Sequence, residues 1–226
     1  MRFASLELRN WRNFVRVTMP MARRAFIVGP NAIGKSNLLD AIRFLRDLVI
    51  EGRLERAVEL RGGMAAVRSL HAKAVSDVQV GVDVMDDAGA GWRYELVFNR
   101  ESSKSTRPKV VRESVWRLAP GSEPHPVLQR PDKNDRSDRD LLRQTALEQT
   151  SANQKFRELA EFLQTVTYVH LVPQLVREEQ SPSGARAGID PYGRDLLERI
   201  RATPPKFQRG RLNRIQKVLK IVAPQL

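Results

Sequence analysis

The stretch Gly29-Pro30-Asn31-Ala32-Ile33-Gly34-Lys35-Ser36 most constrains what this chain can fold into. It lies between a short apolar run, Ala25–Val28, and an apolar-periodic stretch that opens at Lys35. Glycines let a backbone wrap closely around an anion with successive N–H groups pointing inward. A helix starting at once afterwards adds unpaired amides and the positive end of its dipole. The spacing is that of a phosphate-binding P-loop, which needs a strand before it and a helix after it. The residues expected to hold a nucleotide are Gly29, Pro30, Asn31, Ala32, Ile33, Gly34, Lys35, Ser36 and Asn37. Lys35 is expected to reach the β- and γ-phosphates, and the Ser36 hydroxyl to ligate Mg2+.

The rest of the chain must supply that strand and helix. Leu38, Ala41, Ile42, Leu45, Leu48 and Val49 recur at spacings of three and four, so Lys35–Ile50 reads as a helix with one apolar face. "FASLELRN" alternates and reads as a strand, "FVRVTM" (Phe14–Met19) as a second, and Ala25–Val28 as a short buried third. "SDVQVGVDVMD", "WRYELVFNRE" and "KVVRESVWRL" form an expected antiparallel meander over about 75–120, the first two joined by the turn "DDAGAG". Ala119–Asp140 is rich in proline and polar residues and reads as a mobile loop. Leu141–Thr167 is expected to be helical, broken near Ser151. "YVHLVPQ" reads as a short buried strand, and Asp190–Ala202 and Lys206–Ala223 as two helices separated by "TPP".

Composition narrows the class. Of 226 residues, 41% are hydrophobic and 29% charged, the balance of a soluble globular protein. The chain has no cysteine, which removes disulfides and thiolate metal sites. No apolar run approaches the roughly 18 residues of a membrane span, so no membrane partner is expected and the cytoplasm is the expected compartment. The net charge of +13 favours a polyanionic partner, because Lys and Arg release counterions from phosphate backbones.

"LELRNWRNF" followed closely by "FIVGPNAIGKSNLLDAI" resembles the amino-terminal lobe of ABC-type ATPases of the RecF, RecN and SMC class. Bacterial "AAA family ATPases" and overcoming-lysogenization-defect relatives belong to the same class. Members begin with a strand ending in Asn-Phe-Arg, where this chain has Asn10-Trp11-Arg12. Their P-loop commonly continues with Asn and an aliphatic pair, as Ser36-Asn37-Leu38-Leu39 does here. The resemblance implies an α/β P-loop NTPase lobe with a mixed sheet, an antiparallel β-subdomain and a helical carboxy-terminal part. It implies an ATP-binding lobe over 1–178 and a helical segment over 179–226 that leads to a missing half. ATP and Mg2+ are the implied cofactors. Gln174, after "YVHLVP", falls at the family's Q-loop glutamine, which would complete the Mg2+ shell. By the same resemblance, Arg12, Asn13 or Phe14 would lie near the base.

Hydrolysis in this class needs further parts. One is an apolar run ending in Asp-Glu, a Walker B strand; another is a Ser/Gly-rich signature at a helix start; a third is a switch histidine. Val80–Asp87 is acidic but alternates, "SPSGAR" (Ser181–Arg186) has no clear following helix, and His71, His125 and His170 come too early. No catalytic residue is therefore assigned. The expected reading is the first half of a longer ATPase, one that dimerises on ATP and works on DNA in repair or anti-phage defence. Alone, this half is expected to bind ATP with little turnover, and to pair with a second copy or with the missing half. The alternative is a non-hydrolysing nucleotide-binding interaction module. Lys104, Arg107, Lys109, Arg112 and Arg117, and Arg214, Lys217 and Lys220 of the last helix, are candidates for sequence-independent backbone contact with DNA.

Overall fold

A computed structural model describes residues 1–70, 77–102, 105–170, 172, 174–175, 192–193 and 196–222. They fall into two units, Met1–Val166 and Thr167–Leu226.

The first unit is built on one sheet. Its strands are β1 (Arg2–Trp11), β2 (Phe14–Pro20), β3 (Val78–Met85), β4 (Gly91–Arg100), β5 (Pro108–Leu118) and β6 (His125–Arg130). They pair antiparallel throughout in the order β2-β1-β3-β4-β5-β6. Alternation explains the two faces, since successive side chains point to opposite sides of a strand. Leu6, Leu8, Val80, Val82, Val84, Tyr94, Leu96 and Phe98 are buried on one side. On the other, Arg93 pairs with Asp83 at 2.7 Å and Arg112 with Glu95 at 2.5 Å, which suits a solvated face.

Helix α1 (Lys35–Ile50) covers the apolar face with Leu38, Ala41, Ile42, Phe44, Leu45 and Leu48. Phe44 meets Trp11 at 5.2 Å and stacks on Phe98 at 5.4 Å between ring centroids. Two short helices, α2 (Leu54–Glu59) and α3 (Met64–Val67), follow. Further along come α4 (Lys133–Ser137) and α5 (Arg157–Gln164), whose Leu159, Ala160 and Leu163 join the core. This is the expected α/β P-loop class. The second unit contains α6 (Leu196–Ala202), shorter than the expected Asp190–Ala202 because 192–193 form a turn, and α7 (Pro205–Val222), within one residue of the expected Lys206–Ala223.

Several local expectations are overturned. Ala25–Val28 is not a buried strand: Phe26 is 88% and Val28 91% exposed, and no described strand pairs with them. The sheet is therefore antiparallel rather than mixed among the described residues, and the meander shares it with the first hairpin. Residues 119–140 are ordered structure, because β6 pairs with β5 and Asp132 forms a capping box with Asp135 at the start of α4. Leu141–Thr167 is helical only in its last part, after two short 3-10 turns, Arg139–Arg143 and Gln154–Phe156. The reason is a competing set of partners. Glu113, fully buried on β5, accepts from the Ala146 N–H at 2.7 Å and the Leu147 N–H at 3.1 Å. Arg130 donates to the Leu141 and Gln144 carbonyls at 2.9 Å each. Amides spent in this way cannot close helical hydrogen bonds. Residues 168–170, the start of the expected "YVHLVPQ" strand, are not a buried strand either: Val169 is half exposed, and Leu171 and Pro173 lie outside the described residues.

Glu148 carries a pH dependence. One carboxyl oxygen accepts from Thr145 Oγ1 at 2.9 Å, while Oε1 is buried with no partner among the described residues. Burial, reinforced by the nearby Glu113 charge, pushes this carboxyl up to about 7. Burial also raises Glu113 itself. A carboxyl with a raised folded pKa stabilises the fold fully below its unfolded pKa, and that stability is lost as pH rises through the folded value. Between pH 5 and pH 8, Glu148 should therefore cost the fold up to about 2–3 kcal/mol. The melting temperature is expected to fall over that range, and Glu148→Gln to flatten most of the fall. An equally steep profile in the variant would remove Glu148 from this role.

Candidate functional site

The P-loop residues form an exposed arch leading into α1. Ala32 and Gly34 have positive φ, +65° and +109°. At Gly34 a side chain is doubly excluded, because a Cβ there would also run into the Asn13 amide and come 2.8 Å from Phe14 Cζ. Helix α1 starts with no side-chain cap and no acidic residue in its first turn. Its first amides are thus left for an external acceptor, in a field that favours negative charge. Lys35 curls back along the arch, its Nζ donating to the Gly29 carbonyl at 2.8 Å and the Pro30 carbonyl at 2.7 Å. Ser36 is exposed beside it. Asn37 is turned away and donates to Asn13 Oδ1 at 2.8 Å, while its carbonyl accepts from Trp11 Nε1 at 2.8 Å.

The β1–β2 turn braces this arch. Asn13 Nδ2 donates to the Ile33 carbonyl at 3.0 Å, so Asn13 holds the loop on one side and Asn37 on the other. Arg12, with φ +50°, directs its guanidinium to Asp40, 2.8 Å away and one turn beyond Ser36. Asp40 also receives Arg61, which lies between α2 and α3, at 3.1 Å. The Arg61 guanidinium, only 3% exposed, reaches Asp47 at 2.9 Å as well. Two arginines and two carboxylates thereby fix the back of the P-loop helix. The sequence reading missed this network, although Asp40 and Asp47 seven apart on a largely apolar helix were a legible demand for buried cations.

The arch offers the Lys35 ammonium and the uncapped first amides of α1, with no acidic side chain in that first turn, which fits a phosphate chain. Ser36 offers one hydroxyl for a metal bound to that chain. Among the described residues no three His, Asp or Glu side chains converge on a metal site. Gln174 lies in the second unit and is exposed. Two of the three acidic residues of Val80–Asp87 have other employment: Asp83 pairs with Arg93, and Asp86 accepts from the Ala88 and Ala90 amides to shape the β3–β4 turn, while Asp87 is exposed on that turn. His71 and the segment "SPSGAR" lie outside the described residues.

Comparison with known proteins follows the same residues. The family model described as "AAA domain, putative AbiEii toxin, Type IV TA system" matches residues 24–174, two thirds of the chain, from just before the arch to Gln174. The chain belongs to this family. As an AAA-domain chain it is a P-loop NTPase, and nucleotide binding is a property of its family. Over 47 residues it is 43% identical to Endonuclease GajA of Bacillus cereus (strain VD045). That match covers 21% of this chain and 8% of the relative, so the chain spans a small part of the length of the curated protein it matches. No helix among the described residues is long and apolar enough to cross a membrane.

Proposed function

We propose that this chain is the ATP-binding lobe of a RecF/SMC-like ATPase, whose parent protein uses Mg-ATP binding and hydrolysis to drive dimerisation and DNA-related work in the cytoplasm. The observation that carries the reading is the arch itself: an uncapped helix N-terminus, a positive-φ glycine and a lysine folded over the loop. In this reading the amides of Asn31 to Gly34 cradle the phosphates, with Gly29 and Pro30 shaping the turn, Lys35 neutralises the β- and γ-phosphates, and Asn37 acts through Asn13. Ser36 and Gln174 hold Mg2+, which when bound offsets charge on the phosphate oxygens. The printed name of the relative, an endonuclease, supports work on nucleic acid, and the family's description as a toxin supports a defence role over repair.

A second reading is a non-hydrolysing module that switches partner contacts by nucleotide occupancy. The structural employment of Asp83 and Asp86 favours it for this chain alone. One experiment tests both readings: titrate the chain with Mg-ATP by calorimetry and follow phosphate release in the same samples. Binding with negligible turnover is expected. Turnover within the roughly 1–100 s⁻¹ typical of kinases would show that a catalytic carboxylate is already present. Absence of binding would overturn the ATP-binding reading.

A further inference from the structure

The second unit ends in a helix with an unusual charge distribution. From Arg199 to Lys220 the sequence holds eight Lys or Arg and no Asp or Glu, in a chain whose net charge is +13. Six of the eight, Lys206, Arg209, Arg211, Arg214, Lys217 and Lys220, lie on α7 and are exposed. With no acidic residue within the helix, none can form the intrahelical pairs that usually quench such charge.

The charges are also sorted. At 3.6 residues per turn, Lys206, Arg209, Lys217 and Lys220 share one stripe about 21 Å long, with Arg214 beside it. Phe207, Leu212, Ile215 and Val218 lie on the opposite arc, between 43% and 59% exposed, with Arg211 the one cation among them. Membrane-surface helices also set a basic stripe opposite an apolar arc, but here the exposed Arg211 would have to enter the acyl region with the arc, which argues against a lipid surface. The arrangement suits a helix whose arc rests on protein while its stripe projects toward a polyanion. The helix holds no Trp or Tyr, so base stacking has no platform on the stripe and contact would be to phosphate.

We infer that the Lys206–Arg209–Lys217–Lys220 stripe of α7 is a docking surface for the phosphodiester backbone of a nucleic acid, engaged without sequence reading. This deepens the nucleic-acid part of the function proposed above and rests on it. The binding would follow counterion release, so log K falls linearly with log salt, with a slope of about 0.9 per phosphate neutralised on duplex DNA.

The test uses the full chain and a fluorescein-labelled duplex DNA of arbitrary sequence, with anisotropy read over a salt series. In the variant Lys206→Gln/Arg209→Gln/Lys217→Gln/Lys220→Gln the salt slope is expected to fall by about 2–4 and low-salt affinity by at least tenfold. Its Kd for Mg-ATP should match the parent chain, which also reports that the first unit is folded. The control Lys133→Gln/Arg136→Gln/Arg139→Gln removes exposed charge elsewhere and should leave the slope unchanged. An equal loss of slope in the control would mean that net charge binds DNA, and the α7 assignment would fall. A slope unchanged in the α7 variant would also overturn the assignment, leaving the proposed DNA work standing. No DNA binding by the parent chain would remove both, while ATP binding stands on its own titration. Tighter binding to phosphatidylserine vesicles than to DNA would replace this partner with a membrane surface.

Discussion

Lys35→Ala is expected to weaken Mg-ATP binding about ten- to a hundredfold while leaving the unliganded chain as stable as before. Its ammonium makes two hydrogen bonds, to the Gly29 and Pro30 carbonyls, both at the exposed surface. Water replaces such bonds readily, so the cost to folding should stay within about 0.5 kcal/mol. The ligand has no comparable replacement. A charge-assisted hydrogen bond to phosphate contributes about 1.5–3 kcal/mol, which is the expected change in affinity. Calorimetry gives the binding and a thermal melt gives the stability. An unchanged Kd would take the arch out of the nucleotide site altogether. A large drop in melting temperature would instead mean that Lys35 holds the loop in shape, and that any lost binding is secondary.

Arg130→Met should be the most damaging substitution for the fold itself. Arg130 is 8% exposed and serves two carboxylates, Glu113 at 3.2 Å and Asp135 at 2.6 Å, besides the two carbonyls of the 141–144 segment. Its removal leaves the fully buried Glu113 with neutral donors only, Tyr94 Oη and the Ala146 and Leu147 amides. Breaking a buried ion pair from one side costs about 3–5 kcal/mol. At about 2–4 °C per kcal/mol for a chain of this size, the melting temperature should drop on the order of 10 °C. The double variant Arg130→Met/Glu113→Gln should melt higher than Arg130→Met alone, since the amide oxygen still accepts while the stranded charge is gone. A double variant that melts lower would mean that the hydrogen bonds of Glu113, and not its charge, set the cost.

What could be read from the sequence follows how local each cause is. The arch was legible because its chemistry is written in eight consecutive residues. Helix α1 and strands β1 to β5 were legible because burial on one face leaves a period of 3.6 or 2 in the apolar positions. The 139–156 segment was not, because its conformation is set by Glu113 and Arg130 on strands distant in sequence, which capture its amides and carbonyls. Ala25–Val28 looked like a strand because it is apolar and precedes the loop, but a strand also needs a neighbour, and none of the described strands lies beside it. At the site, the side chains proposed to grip a phosphate could be named from the sequence, whereas those that hold the arch could not. Asn13 and Arg61 touch the P-loop helix or its loop only through the fold.

The Asn13 brace ties the arch to more than its own helix. The loop is slung between α1 and a hairpin whose outer strand, β2, is the free margin of the sheet. The hairpin's inner strand is anchored by Leu6 and Leu8 in the core. The turn therefore behaves as a short lever with a fixed fulcrum. A molecule that reshapes the loop must tug on Ile33 and Asn37 together, and both tugs arrive at the same amide side chain. A ligand in the arch would in this way load the sheet's margin as well as the helix.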